Sequence, residues 1–151
     1  MRIIRGLEEL HALVGQEVSV SEWLEVAQER VGLFAEATGD DQWIHVDVER
    51  ARRESPFGGP VAHGFLTLAL LSKFAAESFR LEGFRMGVNY GLNRVRFPAP
   101  VPVGARIRAR FTLAEAREIE GGVQMTWTAA VEVEGGSKPC LAAEWLTRAY
   151  R

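Results

Sequence analysis

The sequence predicts one α+β domain in which an antiparallel sheet wraps a single long central helix. Three observations predict it. The segment VAHGFLTLALLSKFAAESF, Val61 to Phe79, is the most apolar of the chain, with apolar residues on nearly every side between Phe65 and Leu71. As a helix it would be buried all round. Beyond it the hydrophobic period changes to two, with Val103, Ala105, Ile107, Ala109, Phe111 and Leu113 on one face and Arg106, Arg108, Arg110 and Thr112 on the other. The same alternation runs through Val123, Met125, Trp127, Ala129, Val131 and Val133, so both segments read as half-buried antiparallel strands. A sheet with one apolar face needs an apolar layer against it, and a helix greasy on every side supplies one.

The remaining elements follow in chain order. Ile3, Ile4, Leu7, Leu10, Leu13 and Val14 have helical spacing, which predicts a helix over Met1 to Gly15. Val18 to Leu24 reads as an edge strand. Val31, Phe34, Ala35 and Thr38 share one side of a helix predicted over Val26 to Thr38, although no Ser, Thr, Asp or Asn stands before Ala27 to cap it. Asp47 is an N-cap for the short VERARRE segment. A membrane span would need ~18 uninterrupted apolar residues, and His63, Ser72, Lys73 and Glu77 interrupt the apolar segment. FRMGVNYGLNRVRF, Phe84 to Phe97, reads as the strand that opens a four-stranded meander. Gly121-Gly122 and Gly135-Gly136 mark its turns, and KPCLAAEWLTRAY closes it with a strand whose inward face the pattern leaves open.

Composition narrows the function classes. At 151 residues and 47% hydrophobic content the chain suits one domain with a full core. Eighteen Lys plus Arg against twenty Asp plus Glu leave a net charge of -2, which offers no general attraction to nucleic acid or to an anionic membrane. Cys140 is the sole cysteine, so no intrachain disulfide forms, and MRIIRGLEEL lacks the features of a signal peptide. A cytoplasmic protein is expected.

One stretch, ATGDDQWIHVDVER from Ala37 to Arg50, is hard to read as helix or strand and gathers three aspartates around one of only three histidines. Taken alone, Asp40 and Asp41 are turn residues after Gly39, and His45 beside Trp43 and Ile44 reads as a structural histidine. His11 reads as a surface residue. A metal reading of Asp40, Asp41, His45, Asp47 and His63 lacks any His-x-x-x-His or cysteine pair, so no metal is expected.

The text of the chain changes that balance. FAEATGDDQWIHVD, followed by FGGPVAHGFLTLALLS and then RVRFPAPVPVG, resembles the signature of the MaoC-like, R-specific enoyl-CoA hydratases. Those enzymes carry a Phe-Ala…Thr-Gly-Asp run, then Asn-Pro-x-His-x-Asp, then an Ala-His-Gly helix start. The resemblance covers Val26 to about Gly104 in detail. Gln42-Trp43 stands where the signature has Asn-Pro, a variant that resembles the nodulation protein N-like branch. The resemblance implies a hot-dog fold, in which the sheet wraps its helix as the pattern predicts, and a homodimer with an acyl tunnel near the subunit boundary. It also implies reversible R-specific hydration of a trans-2-enoyl thioester. Asp40 and His45 would jointly hold the attacking water and Gly64 would donate its amide to an oxyanion, with Gln42, His63 and Ser72 in support.

The chemistry asks for the same groups. Hydration of an enoyl thioester needs an activated water, a proton for the neighbouring carbon, and stabilisation of the enolate oxygen. A carboxylate and an imidazole serve the first two, and either could act as the base. Gly64 lies at the start of the long helix, where amides are unpaired and the helix dipole is positive. Without a side chain it lets a thioester approach closely. No cofactor is expected beyond the coenzyme A or acyl-carrier protein that carries the substrate. Arg52, Arg53, Arg94 and Arg96 are candidate contacts for its phosphates. The thioesterases and short dehydratases of this fold use a carboxylate on or beside the central helix, and Gly64 to Ala76 contains none. A non-catalytic acyl-CoA-binding protein is the rival of another class.

Overall fold

A computed structural model describes all residues from Met1 to Arg151. Its largest sheet takes the order β2-β6-β7-β8-β5, formed by Glu17–Val20, Arg106–Ile119, Gly122–Val133, Pro139–Tyr150 and Met86–Arg96 respectively. Every pairing in this sheet is antiparallel, and β3 (Leu24–Glu25) also pairs β6. Against its inner face lies α5 (Gly64–Ser78), giving the α+β hot-dog arrangement that the pattern predicts.

The alternation translates directly into layers. Ile107, Ala109, Phe111 and Leu113 from β6 join Val123, Met125, Trp127, Ala129 and Val131 from β7 in one buried cluster with Leu66, Leu70, Leu71 and Phe74 from α5. Each large apolar side chain so buried contributes about 1.5–3 kcal/mol relative to exposure. β8 turns Leu141, Ala143, Trp145 and Ala149 inward, which settles the face its sequence left open. On the outer face Arg106 pairs with Glu134, Arg108 and Arg110 both pair with Glu132, and Arg110 also reaches Glu17.

Three expectations are corrected. The predicted first helix is a strand and then a helix: β1 (Arg2–Arg5) pairs in parallel with β4 (Phe79–Glu82), and α1 spans Gly6–Ala12. Gly6, at φ 70, separates them, and the β-branched pair Ile3 and Ile4 suits the extended side of that break.

The four strands do not form a simple meander, because β5 pairs β8 instead of β6. Between β5 and β6 lies FPAPVPVGA, whose three prolines cannot supply ladder N–H groups or a tight hairpin. That segment runs past the start of α5, where Val101 accepts from the Ala62 amide and Val103 donates to Pro60.

Nor is α5 buried all round. Leu66, Thr67, Leu70, Leu71, Phe74 and Ser78 are buried, whereas Phe65, Ala69, Ser72 and Ala76 are exposed. β5 is equally open, with only Gly91 and Val95 short of full exposure. No helix of the chain is long and apolar enough to cross a membrane.

The elements that carry the distinctive motif lie against the segment leading into α5, where Phe34 meets His63 and the Val61 amide donates to Ile44. α2 (Gln28–Thr38) starts without a side-chain cap, as its sequence requires, and stops at Gly39. Gly39 takes the left-handed conformation, φ 76, and donates to Ala35. The unreadable stretch resolves into two short helices, α3 (Trp43–Val46) and α4 (Val48–Glu54), separated by Asp47. Asp47 caps α4 by accepting from the Arg50 amide at 3.0 Å, as expected.

Candidate active site

Asp40, His45 and His63 meet although 23 residues separate the first from the last, with one polar side-chain atom of each within 4.8 Å of the others. Asp40 follows the left-handed turn at Gly39 and is exposed, so its carboxylate is open to solvent. His45 is buried inside α3, and its ring Nδ1 lies 2.6 Å from the Val61 carbonyl oxygen. A carbonyl only accepts, so Nδ1 carries the proton and donates. The Nε2 lone pair is left free to accept.

The backbone around His45 is pinned from three directions. Its amide donates to the Gln42 carbonyl at 2.9 Å, its carbonyl accepts from Gln28 Nε2 at 2.8 Å, and the Val61 amide donates to Ile44 at 3.0 Å. Gln28 and the Val61 carbonyl were not legible as site groups. Nothing in the local pattern of α2 marks Gln28, and a backbone carbonyl has no sequence signal. Gln42, a supporting candidate, contributes its backbone carbonyl, and its exposed side chain makes no hydrogen bond within the chain.

The start of α5 completes the arrangement. Leu66 and Thr67 both donate to the His63 carbonyl, so the amides of Gly64 and Phe65 precede any intrahelical acceptor and stand at the positive end of a fifteen-residue helix. A cavity of about 360 Å³ opens beside Gly64, lined among others by Ile44, Val61, Thr67, Phe97, Val101 and Cys140. Asp40 and His45 do not line it. Val61 joins the two regions, since it lines the cavity and its carbonyl accepts the hydrogen bond from His45 Nδ1. Cys140 is no nucleophile there: burial pushes its thiol up to about 12, and the thiol donates to the Val131 carbonyl.

Other candidates fall elsewhere. Ser72, a supporting candidate, lies eight residues beyond Gly64, about 12 Å along the helix, and accepts from Asn89 of β5 at 3.1 Å. Arg94 and Arg96 register with Glu144 and Ala142 and line a cavity with Thr128 and Ala130. By strand alternation that is the sheet face turned away from α5, so neither arginine reaches Gly64. Arg52 pairs with Glu49 on exposed α4, and His11 is exposed as expected. Glu77, the first carboxylate of α5, pairs with Lys73 near the far end of the helix.

The cluster is poorly suited to a shared metal ion. The His45 and His63 rings are stacked, 3.9 Å between centroids and 25° between planes. Ring-nitrogen lone pairs lie in the ring planes, so those of two stacked rings run side by side and do not converge on one ion.

Comparison with known proteins identifies the family. The MaoC like domain model matches residues 9–135. The chain is 49% identical over 149 residues to 3-hydroxyacyl-thioester dehydratase Z of Mycobacterium tuberculosis, covering 98% of both proteins. It is 47% identical over 145 residues to Nodulation protein N of Rhizobium meliloti, covering 93% of this chain and 89% of that protein. Among solved structures it is similar to the unliganded R-hydratase PhaJ1 of Pseudomonas aeruginosa. That likeness has a TM-score of 0.72 and 26% identity, over 91% of this chain and 82% of the other. The chain belongs to the MaoC-like dehydratase family, with relatives of the nodulation protein N type.

Proposed function

We propose that this protein is a hydro-lyase of the 3-hydroxyacyl-thioester dehydratase class. It interconverts trans-2-enoyl and (3R)-3-hydroxyacyl thioesters carried on coenzyme A or acyl-carrier protein, with no cofactor of its own. The observation that carries the reading is the His45 geometry. Its Nδ1 proton is committed to Val61, its Nε2 is free, and the Asp40 carboxylate lies within reach. The names and identities of the relatives support the same class.

In the hydration direction Asp40 and His45 hold one water. His45 Nε2 accepts a proton as the water oxygen bonds to C3, and the C2–C3 π electrons move toward the thioester oxygen. The Gly64 amide at the head of α5 donates to that oxygen. The protonated dyad then returns its proton to C2, which restores the thioester carbonyl and the neutral imidazole. Dehydration is the reverse, with His45 taking the C2 proton.

The active form is a homodimer. Exposed Ala69 on α5 and Leu92 on β5 line one open cavity between the two elements, and β5 is an edge strand paired on one side only. A second copy would satisfy both.

The test is hydration of trans-2-enoyl-CoA and of the matching acyl-carrier-protein thioester, followed by enoyl absorbance and chiral analysis of the product. Asp40→Asn and His45→Gln are each expected to lose roughly a hundredfold or more in kcat while keeping their fold. A 3S product, or full activity in both variants, would sink the reading. Binding of acyl-CoA without turnover on any chain length would convert it to a non-catalytic binder.

A further inference from the structure

His63 touches every part of the proposed centre and yet has no place in the chemistry just described. It is 2% exposed, and its Nε2 lies 2.8 Å from the backbone carbonyl oxygen of Asp40. That oxygen only accepts, so Nε2 carries a proton and donates. The ring stacks on His45 at 3.9 Å, and Phe34 of α2 covers it at 4.9 Å. Its own carbonyl accepts the first two paired amides of α5, and the next residue is Gly64. The ring Nδ1 is buried and has no partner within the chain.

We infer that His63 is a positioning residue that acts as the neutral Nε2–H tautomer, registering the Asp40 loop and the His45 ring against the head of α5. This deepens the dyad reading and rests on it. Three relations carry the inference. The Nε2–H bond holds the Asp40 backbone at 2.8 Å, closer than the other side-chain bond to it, in which the Asp40 amide donates to Thr38 Oγ1 at 3.4 Å. The stack fixes the plane of His45, and hence the direction of its free Nε2. The Nδ1 is buried with no acceptor in the chain, so the proton that the Asp40 bond requires sits on Nε2 and a second N–H would find no protein partner. A neutral ring also offers its face to the cation that His45 becomes when it accepts a proton.

The substitutions that test this differ by which nitrogen they imitate. Gln places an amide nitrogen where His Nε2 stood, and Asn places one where Nδ1 stood. His63→Gln, which keeps the bond to Asp40 but not the stack, is expected to hold kcat roughly tenfold or more above that of His63→Asn, with KM moved by less than about twofold in both. A purely structural role would lower the two variants together, or act through the melting temperature alone. Equal kcat in the two variants, or a loss confined to KM, overturns the inference.

If either variant fails to fold, the wild-type protein decides. A long-range ¹H–¹⁵N spectrum of the histidine rings at neutral pH is expected to show His63 as the Nε2–H tautomer. An Nδ1–H or doubly protonated ring overturns the inference whatever the variants do. Failure of the dyad reads differently: Asp40→Asn and His45→Gln would both turn over normally, and the catalytic consequence of His63 would go with them.

Discussion

A methyl group added at Gly64 would stand 3.1 Å from the ring of Phe97, a contact too close to keep without a small shift. Phe97 is 43% exposed and has room to yield. The Gly64→Ala protein should therefore fold, with a stability loss of about 1 kcal/mol. Its turnover should fall by roughly tenfold or more if the Gly64 amide receives the developing oxyanion as proposed, because the methyl group occupies the approach to it. Adding Phe97→Leu should recover the melting temperature without recovering kcat. A wild-type kcat in Gly64→Ala would remove the Gly64 amide from the mechanism. The single residue thus separates two demands: packing against Phe97 tolerates adjustment, and access to the helix head does not.

At the scale of elements, the outer face of the sheet is tied across strands by charge. Glu132 of β7 accepts from Arg110 Nε at 2.6 Å and Arg108 Nε at 2.8 Å, both on β6, and Arg110 reaches on to Glu17 of β2. These bonds, from Arg110 first and then Arg108, hold the Glu132 carboxyl below its ordinary range against a smaller opposing effect of burial. A carboxyl depressed in the folded state contributes stability that is present above its unfolded pKa and is lost as pH falls through its folded value. Glu132→Gln should therefore melt lower than wild type at pH 7, with the gap closing on acidification below about pH 4. Melting temperatures recorded from neutral to acid pH check this. A gap that persists unchanged at the acid end would show that the loss is one of packing and not of charge. The effect is modest, since both side chains are about a third exposed: 33% for Glu132 and 36% for Arg110.

At the scale of the molecule, the open faces of α5 and β5 lie together, and β5 holds exposed Met86, Val88, Tyr90 and Leu92. A single copy leaves both the strand edge and the apolar surface in water. Light scattering should give a mass of twice 16.8 kDa for wild type. Tyr90→Asp combined with Leu92→Asp should give a folded monomer with reduced turnover, as expected if the acyl channel lies near the boundary between copies. A wild-type monomer with full activity would remove the second copy from the function.

What the sequence determined by itself is what short-range periodicity and local motif express. Period-two alternation through β6 and β7 and the apolar run of α5 specified the layers, because burying one face of each is the only arrangement that removes both from water. The Thr-Gly-Asp run, His45 and Ala-His-Gly were visible in order, and a resemblance built on them carried the family. Tertiary structure decided what depends on groups far apart in the chain. It set β5 against β8, since prolines between β5 and β6 prevent a hairpin there. It broke the first predicted helix at Gly6, where pairing with β4 outweighs a helical spacing. It set Ser72 against Asn89 and turned Arg94 and Arg96 to the sheet face opposite α5, because their facing is set by packing and register. It also supplied the Val61 carbonyl, Gln28 and the Asp40 carbonyl as hydrogen-bond partners, two of them backbone atoms that every residue shares and no pattern can mark. The tautomers of His45 and His63 follow from those partners, so the proton positions on which the proposed chemistry turns exist only once the chain has folded.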